Sequence, residues 1–291
     1  MAEIATVGVA GSGTMGSGIA IVAARAGFRT ILYDLSADAL ARARRQTEGF
    51  LDQSVKRQKL SDDERARILA DLAGTTRIEE MGACDIVIEA VFEGLGVKHE
   101  LLARLDKVCA PHALFASNTS TLSITELAAG SGRADRFVGM HFCLPAPLMK
   151  LVEMSPGLRT SDESFAAAWR FCERLGQRPV KTKDEPGFIL NALLVPFNND
   201  AIRLVETGVA EPAAIDRAVK KGLGYPMGPL ELLDLIGLDT QLLLCEALYG
   251  RTHDPRAACP PLLRRMIAAG FLGRKTGQGF YRYQRDAMFG G

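Results

Sequence analysis

The sequence lacks the segments that mark a membrane, secreted or nucleic-acid-binding protein. Its 291 residues contain no window of about eighteen uninterrupted apolar residues, and the first residues, MAEIATVGVAGSG, show neither a basic segment before an apolar run nor a cleavage site. The formal net charge of +1 gives no strong electrostatic preference for nucleic acid or an anionic membrane. We therefore expect a cytoplasmic protein that binds neither nucleic acid nor a membrane.

Cysteine and histidine are also scarce, with six and four residues respectively. The cysteines lie far apart and include no C-x-x-C pair; they are Cys84, Cys109, Cys143, Cys172, Cys245 and Cys259. This spacing suggests neither a disulfide framework nor a zinc site, so we expect reduced thiols in the core and no metal. Apolar residues make up 47% of the chain, which suits a substantial core in one large or two ordinary domains.

A glycine-rich turn follows the first predicted strand. Ile4 to Ala10 form a short apolar run, and the next six residues read GSGTMG before a helical pattern that continues to Ala26. In such a G-x-G-x-x-G turn the first glycine permits the tight bend, the second leaves room for a pyrophosphate, and the third lets helix and strand pack closely. The residues expected to hold a dinucleotide here are Gly11, Ser12, Gly13, Thr14, Met15 and Gly16.

An acidic residue ends the second predicted strand. Thr30 to Tyr33 lead to Asp34, eighteen residues past the last glycine of the turn. A carboxylate at this point can accept hydrogen bonds from both hydroxyls of an adenosine ribose, and it repels a 2′-phosphate. Because Leu35 and Ser36 supply no arginine for such a phosphate, the sequence favours NAD over NADP. A glycine-rich turn without any ligand is the alternative.

A polar, helical excursion comes next, with one segment at about 36–59 and a second at about 61–72. Ser61 and Glu64 have the spacing of a capping box for the second segment. The basic side chains of the excursion are Arg42, Arg44, Arg45, Lys56 and Arg57. They are candidates to contact a phosphate-bearing substrate, although a solvated helical face explains any one of them as well.

An apolar run from Cys84 to Val91 predicts a strand of a parallel sheet that is covered on both faces. Only Asp85 and Glu89 interrupt it. Ligands bind at the carboxyl ends of such strands, so Glu93 and Lys98, which follow, are candidates for the cofactor side.

A run of small polar residues, SNTST at positions 117–121, follows the next predicted strand, Leu114 to Ala116. These side chains can cap a helix that starts near Ser123. Since they lie at the same edge of the sheet, they can also form a polar floor for a substrate hydroxyl.

The stretch 138–153, VGMHFCLPAPLMKLVE, carries one histidine and one glutamate on two apolar runs that are separated by a proline-containing turn. If the two runs are neighbouring strands, Glu153 can accept a hydrogen bond from one ring nitrogen of His141. The other nitrogen can then exchange a proton near neutral pH. Taken alone, these residues also fit a half-buried histidine and an unrelated surface glutamate.

Five motifs occur in order along the chain. They read GSGTMG, ASNTST, GMHFCLPAPLMKLVE, DEPGFILN and GYPMGPLELLD. Together they resemble the 3-hydroxyacyl-CoA dehydrogenase family, especially its short 3-hydroxybutyryl-CoA dehydrogenases, over nearly the whole chain. The resemblance implies an NAD-dependent oxidoreductase of fatty acid metabolism that interconverts a 3-hydroxyacyl-CoA, such as 3-hydroxybutyryl-CoA, and its 3-oxo form.

The resemblance also implies an α/β fold, in which a Rossmann-type doubly wound sheet is followed by an all-helical C-terminal domain that binds substrate and forms a homodimer. The strand signal ends near the run DEPG at 184–187. The expected domains are therefore 1–184, with the helical excursion at 36–72, and 185–291. Helices of the second domain are expected at about 188–206, 212–222, 230–236 and 239–249.

The catalytic groups of the family correspond to Ser120, His141, Glu153 and Asn191. By the resemblance, His141 takes the proton of the 3-hydroxyl group while C3 gives up hydride, and Glu153 orients and supports the imidazolium. Ser120 hydrogen-bonds the reacting oxygen, and Asn191 holds the substrate. The cofactor positions implied beyond the glycine turn are Asp34, Glu93, Lys98, Ser120 and Lys275. The substrate positions are Ser120 and Asn191, with Lys56 and Arg57 added for a phosphate-bearing substrate.

One run departs from the family. Where the family reads HFFNP, this chain reads HFCLP, so Leu144 replaces an asparagine that contacts the nicotinamide end of the cofactor. A leucine side chain can neither donate nor accept a hydrogen bond. Three alternatives stay open: the same chemistry on a thioester carried by an acyl carrier protein, oxidation of a free hydroxy or sugar acid, and a catalytically idle NAD-binding protein.

Overall fold

The computed structural model describes residues 4–283 of the chain. These residues form two compact units that divide between Glu185 and Pro186. The first unit contains the strands of one sheet with helices between them, and the second is built from helices. The predicted α/β class with a helical C-terminal part is confirmed. Residues 284–291, at the end of the expected C-terminal domain, lie outside the described residues.

An eight-stranded sheet forms the centre of the first unit. Its strands are β1 Thr6–Ala10, β2 Arg29–Tyr33, β3 Leu72–Thr75, β4 Ile86–Glu89, β5 Leu114–Ser117, β6 Phe137–Phe142, β7 Leu151–Pro156 and β8 Arg178–Lys181. The order across the sheet is β3-β2-β1-β4-β5-β6-β7-β8, and neighbouring strands are parallel except β6 and β7, which are antiparallel. The chain changes direction across the sheet between β1 and β4, where an open α/β sheet leaves a crevice for a ligand.

The helices of the first unit alternate with these strands. They are α1 Thr14–Arg25, α2 Ala37–Lys56, α3 Asp62–Asp71, α4 Leu95–Val108, α5 Ile124–Ala129 and α6 Asp162–Arg174. Serine side chains cap four of them by accepting a backbone hydrogen bond; these serines are Ser36, Ser61, Ser123 and Ser161. The capping box predicted for Ser61 and Glu64 is confirmed.

The strand β3 was missed by the sequence pattern, which predicted that a helix runs to Leu72. Its four residues read LAGT, and alanine and glycine give a strand little propensity of its own. The strand forms because its backbone pairs in parallel with β2, so α3 ends one residue earlier, at Asp71.

The central strands are buried on both faces. On β4 the successive residues Ile86, Val87 and Ile88 are all buried, without the alternation of a half-exposed strand. A parallel sheet covered by helices produces this pattern. A charged side chain in such a strand needs a buried partner, and Glu89 at the end of β4 is in this position.

The second unit consists of α7 Leu190–Glu206, α8 Pro212–Gly222, α9 Pro229–Ile236, α10 Leu238–Thr252 and α11 Pro261–Ala268. The first four lie within two or three residues of their predicted bounds, whereas the pattern did not predict α11. The core of this unit includes Val195, Ile202, Leu233 and Leu263. Among residues 4–283, none of the helices has the length and apolar character that a membrane crossing requires.

Two buried aspartates connect the helices of the second unit. Asp216, on α8, accepts hydrogen bonds from the backbone N–H groups of Leu230 and Glu231, at 2.9 and 3.0 Å, and from the hydroxyl of Tyr281 at 2.6 Å. Asp216 thereby caps the start of α9 and connects α9 to the segment that contains Tyr281.

The second of these aspartates is Asp234, on α9. It accepts hydrogen bonds from the backbone N–H groups of Phe280 and Tyr281, each at 2.9 Å, and from the hydroxyl of Tyr283 at 3.0 Å. Burial raises the pKa of Asp234 despite these hydrogen bonds. Burial of the Tyr283 hydroxyl, together with the nearby Asp234 carboxyl, raises the pKa of Tyr283 to about 12.

Candidate active site

The glycine turn between β1 and α1 has the shape that a pyrophosphate requires. A Cβ atom on Gly16 would overlap the carbonyl oxygen of Gly11, so helix and turn approach each other too closely for any side chain there. At Gly13, by contrast, a Cβ atom would meet nothing within 4 Å. Gly13 is also the N-cap of α1 and provides no side-chain cap, so the N–H groups of the first turn are available to an anion.

Asp34 lies beside this turn at the end of β2. Its Oδ2 accepts hydrogen bonds from the backbone N–H and the hydroxyl of Ser12, at 2.8 and 2.7 Å. Burial alone would raise the pKa of Asp34, but the hydrogen bonds from Ser36 and Ser12 and the charge of Arg42 outweigh it and lower the pKa. The group is therefore a carboxylate at neutral pH, able to accept ribose hydroxyls and to repel a 2′-phosphate.

A cavity of about 310 Å³ opens at this point. It is lined by Ser12, Gly13, Thr14, Asp34, Ala39, Arg42, Ala43 and Gln46. The turn, the carboxylate and one face of α2 thus surround a single space, and these residues fit the adenosine and pyrophosphate parts of NAD. Met15, the remaining predicted residue with a side chain, is half-buried and packs against the core.

His141 and Glu153 face each other directly across the antiparallel pair β6 and β7. Residues opposite each other in such a pair point to the same face of the sheet. The ring nitrogen Nδ1 of His141 lies 2.8 Å from Oε2 of Glu153, which is 1% exposed. The condition stated from the sequence, that the two runs are neighbouring strands, is met.

Ser120 approaches the same histidine from the turn after β5. Its hydroxyl oxygen lies 3.2 Å from Nε2 of His141. The first unit thus brings three of the four predicted catalytic residues into one hydrogen-bonded row, from Ser120 through His141 to Glu153. Such a row can move a proton between a substrate hydroxyl and an imidazole whose tautomer the glutamate fixes.

The rest of the SNTST run has other partners. Asn118 Oδ1 accepts a hydrogen bond from the backbone N–H of Phe142 at 2.9 Å, and Thr119 and Thr121 donate to Glu93. The Ser117 hydroxyl donates to Glu89 in a short hydrogen bond. Among these five side chains, only Ser120 contacts His141. The other four hold the turn that positions Ser120, so the run does not form a continuous polar floor.

Glu93 and Lys98 lie beside and beneath the Ser120 turn. Glu93 accepts the backbone N–H of Ser120 at 2.8 Å, whereas the ammonium group of Lys98 is buried against Glu89 and Glu93. Sequence reasoning did not include Glu89 in the site. The available signal was a charged residue inside an apolar strand, which requires a buried partner.

Two predicted site residues belong to the second unit. Asn191 is the second residue of α7, half-buried, with its backbone N–H bonded to the carbonyl of Gly187 at 3.0 Å. Lys275 follows α11, and its ammonium group lies 2.5 and 2.6 Å from the two oxygens of the Asp239 carboxylate. Within the second unit, Lys275 therefore forms an exposed ion pair with Asp239.

Lys56 and Arg57 are exposed at the C-terminal end of α2. The helix has 20 residues, which places this end about 30 Å along the axis from the end near Asp34. The two basic residues therefore do not join the cavity beside Asp34, and a role for them requires a long substrate.

Leu144 lies on the loop between β6 and β7, three residues after His141, and its side chain is 55% exposed. Leu148 and Met149 on the same loop are also exposed, whereas Cys143 is buried. Burial raises the pKa of Cys143 to about 11, so this neighbour of the histidine is a protonated thiol at neutral pH. Among residues 4–283, no group of three or more His, Cys, Asp or Glu side chains is arranged to hold a metal ion.

Comparison with known proteins gives the same family for both units. Residues 6–185 match the family model described as 3-hydroxyacyl-CoA dehydrogenase, NAD binding domain, and residues 187–283 match the model described as 3-hydroxyacyl-CoA dehydrogenase, C-terminal domain. The match of the first model makes NAD the cofactor, as predicted.

Individual relatives cover nearly all of the chain. A probable 3-hydroxybutyryl-CoA dehydrogenase of Deinococcus radiodurans is 44% identical over 95% of this chain and 99% of its own length. The mitochondrial hydroxyacyl-coenzyme A dehydrogenase of Rattus norvegicus is 43% identical over 96% of this chain and 91% of its own. The crystal structure of (S)-3-hydroxybutyryl-CoA dehydrogenase PaaH1 from Ralstonia eutropha is 43% identical, covers 97% of this chain and 100% of its own, and superposes with a TM-score of 0.92. The resemblance predicted from the motifs is confirmed, and the chain belongs to the 3-hydroxyacyl-CoA dehydrogenase family.

Proposed function

We propose that this NAD-dependent dehydrogenase interconverts a short 3-hydroxyacyl-CoA, such as 3-hydroxybutyryl-CoA, and its 3-oxo form, with His141 as the acid/base. The observation that carries the proposal is the row Ser120–His141–Glu153, in which each ring nitrogen of the histidine has a partner. The names of the bacterial relatives support the short acyl substrate.

In the oxidative direction, the 3-hydroxyl group hydrogen-bonds Ser120 and gives its proton to Nε2 of His141 as C3 loses hydride and the C=O bond forms. Bound NAD supplies the hydride acceptor. Glu153 holds the proton on Nδ1 and stabilises the positive charge that His141 acquires. Because Glu153 is buried, it acts in a site of low effective dielectric, where this stabilisation is stronger than in water.

The remaining assignments concern binding. The glycine turn and Asp34 hold the pyrophosphate and ribose of the cofactor. Glu93 holds the turn of Ser120, beside the reactive end of the cofactor. Asn191 and Lys275 contribute from the helical unit, Asn191 to the substrate carbonyl and Lys275 to the cofactor. Lys56 and Arg57 contact the phosphates of coenzyme A.

The first experiment follows the loss of NADH absorbance with acetoacetyl-CoA. We expect turnover by the wild type and a fall in kcat of about 1,000-fold for His141→Gln, with NADH binding retained. His112→Gln is the matched control, because His112 is an exposed histidine of the same unit. A wild type that binds NADH but does not turn over acetoacetyl-CoA contradicts the proposed substrate.

A second candidate is the same reaction on a thioester carried by an acyl carrier protein. The exposed, apolar Leu144 beside His141 favours it, since the family asparagine is absent there. The two candidates differ at Lys56 and Arg57. If they contact coenzyme A, the double change Lys56→Ala with Arg57→Ala raises the KM for acetoacetyl-CoA about 5- to 10-fold, whereas the exposed control Lys107→Ala does not. An unchanged KM supports the carrier-protein substrate.

The protein is also proposed to be a cytoplasmic homodimer that associates through its helical unit. Apolar side chains remain exposed on α7 and α10, among them Leu193, Leu243 and Tyr249. Such surfaces are typical of interfaces between subunits. Light scattering after gel filtration would give a dimer for the wild type and a monomer for Leu243→Glu; a monomeric wild type contradicts the proposal.

A further inference from the structure

Two cysteines of the helical unit lie in contact, although they are distant in the sequence. Cys245, on α10, is fully buried, and Cys259, in the segment ahead of α11, is partly exposed. Cys245 belongs to the apolar core of this unit, and Cys259 packs against the same core. Their thiols hydrogen-bond each other. The pair therefore meets the first condition for an intramolecular disulfide, which is that the two sulfur atoms are within reach of each other.

A buried amide side chain fixes the position of this pair. The Oδ1 atom of Asn199, on α7, accepts a hydrogen bond from the Cys245 thiol at 3.2 Å. The amide nitrogen of Asn199 donates to the carbonyl oxygens of residues 256–258, at 3.0 to 3.4 Å, directly ahead of Cys259. Asn199 thus holds both segments that carry the thiols, and their contact does not depend on the thiols alone.

The two thiols differ in how readily they ionise. A hydrogen bond from the Cys245 thiol lowers the pKa of Cys259 by more than burial raises it. The positive charges of Arg264 and Arg203 lower it further, and the charge of Glu246 opposes them. The same hydrogen bond, together with burial, raises the pKa of Cys245. Because oxidants react with an accessible thiolate, Cys259 is the thiol that an oxidant attacks, and Cys245 is the thiol beside it.

A second pair of neighbouring thiols provides an internal comparison. Cys84 and Cys109, in the sheet unit, are close enough that a charge on Cys109 raises the pKa of Cys84. Both side chains are buried, and burial raises the pKa of Cys84 to about 12 and that of Cys109 to about 11. Both pairs are therefore close, but only Cys259 among these four cysteines combines partial exposure with a lowered pKa.

We propose that Cys259 and Cys245 form a reversible oxidation site for a hydroperoxide. The Cys259 thiolate attacks one oxygen of hydrogen peroxide, the O–O bond breaks, and the sulfur becomes a sulfenic acid while hydroxide leaves and takes up a proton as water. The Cys245 sulfur then attacks the sulfur of Cys259, the S–O bond breaks, and the Cys245 thiol proton leaves with the hydroxyl group as a second water.

The disulfide has formed from two thiols that together lost two electrons, and the peroxide gained those two electrons. A dithiol reverses the reaction by thiol–disulfide exchange. The site lies outside the row of Ser120, His141 and Glu153, so the inference does not depend on the proposed function. An inactive wild type would remove the proposed function and leave the thiol chemistry measurable.

The test treats the reduced, full-length protein with hydrogen peroxide and maps its disulfides by mass spectrometry. We expect a mass loss of about 2 Da, since one disulfide removes two hydrogen atoms, and a peptide pair that joins Cys245 to Cys259. Thiols that react with Ellman's reagent after unfolding should fall from six by two, to four, and dithiothreitol should restore all six. Absence of a disulfide, a disulfide between other cysteines, or one between two chains overturns the proposal. The map uses the wild type and does not require any variant to fold.

Two variants separate the attacked thiol from its partner. Cys245→Ser keeps a hydroxyl donor beside Cys259 but removes the second sulfur, so a sulfenic acid at Cys259 should persist. Dimedone, which traps sulfenic acids, should label Cys259 about tenfold more in this variant than in the wild type. Cys259→Ser should form no disulfide, whereas the matched control Cys84→Ser should still form it. Equal dimedone labelling of the wild type and Cys245→Ser would show that Cys245 does not attack the sulfenic acid.

The disulfide should also stabilise the helical unit. It closes the loop between α10 and the segment ahead of α11, which reduces the conformational entropy of the unfolded chain. The hydrogen bond that Asn199 loses came from a thiol, which is a weak donor, so its loss offsets only part of this gain. We expect the oxidised protein to melt roughly 5 °C higher by circular dichroism, and dithiothreitol to remove the difference. A melting temperature that does not rise in the oxidised protein contradicts this stabilising role.

Discussion

Both units bury acidic side chains, but the partners of those acids differ. In the helical unit, Asp216 and Asp234 accept hydrogen bonds from backbone N–H groups and tyrosine hydroxyls at segment ends. In the sheet unit, the buried Glu153 bonds the ring of His141, and Glu93, which is partly exposed, bonds the backbone of the Ser120 turn.

The difference separates a structural from a chemical use of buried charge. An acid whose partners are backbone groups joins two segments, and its loss destabilises the fold. An acid whose partner is an imidazole, or the backbone beneath a reactive hydroxyl, controls where a proton can go. Substitution of a buried acid should therefore lower the stability of the fold in the helical unit and lower turnover in the sheet unit.

Asp216→Ala should have the largest effect, on stability. It removes a buried carboxylate with three donors and leaves those donors without their acceptor, at a cost of about 3 kcal/mol in the free energy of unfolding. Urea unfolding followed by circular dichroism measures this cost. Glu211→Ala, at an exposed position next to the same helix, should change stability by less than about 0.5 kcal/mol. Equal stabilities would show that Asp216 does not join the helices.

Glu153→Gln should act on turnover instead. The amide keeps the size and one acceptor oxygen but not the charge, so His141 gains less support when it becomes positive. We expect kcat with acetoacetyl-CoA to fall about 100-fold, with a small change in melting temperature. Glu100→Gln, an exposed glutamate of the same unit, is the control. A large loss of stability with little loss of kcat would place Glu153 in the same class as Asp216.

A smaller effect is expected for Asp34→Ser, which removes the carboxylate but leaves Arg42 in the cavity. Because the pKa of Asp34 lies below its usual value, the group is charged throughout the neutral range and repels a 2′-phosphate. The ratio of kcat/KM for NADPH to that for NADH should rise about tenfold or more. Asp38→Ser, in the first turn of α2, should leave this ratio unchanged, and an unchanged ratio for Asp34→Ser would mean that another group excludes NADP.

The smallest effect concerns the thiols. Burial raises the pKa of Cys84 and Cys172 in the sheet unit to about 12, so these thiols stay protonated at pH 8. In the helical unit, a hydrogen bond with the Cys245 thiol lowers the pKa of the partly exposed Cys259. Ellman's reagent should therefore react first with the thiol of Cys259. Cys259→Ser should abolish this fast phase, and Cys172→Ser should not; a fast phase that survives Cys259→Ser contradicts the assignment.

Features that depend on neighbouring residues could be predicted from the sequence. The glycine turn, its strand and helix, and the capping box of Ser61 and Glu64 each lie within a few residues, and they formed as expected. The pairing of His141 with Glu153 could be stated only as a condition, because an apolar run does not reveal its neighbour. The antiparallel register of β6 and β7 supplied that information.

Features that depend on distant partners were missed or only partly predicted. The strand β3 exists through its pairing with β2, and Glu89 matters through Lys98 on the following helix. The SNTST run was identified as polar, but only the fold distinguishes Ser120, which faces the histidine, from neighbours that bind Glu93 and Glu89. Composition and spacing cannot make that distinction because all five side chains have similar chemistry.

The single antiparallel pairing in the sheet has a consequence for insertions and deletions. The loop at 143–150 lies between β6 and β7, and the ladder rather than the loop sets which residues are opposite each other. Related chains can therefore lengthen or shorten this loop, and with it the surface beside the histidine, without separating His141 from Glu153. Deletion of one residue from β7 ahead of Glu153 is different, because it turns the carboxylate to the other face of the sheet. Variation in length should accumulate in the loop and be absent from the strand.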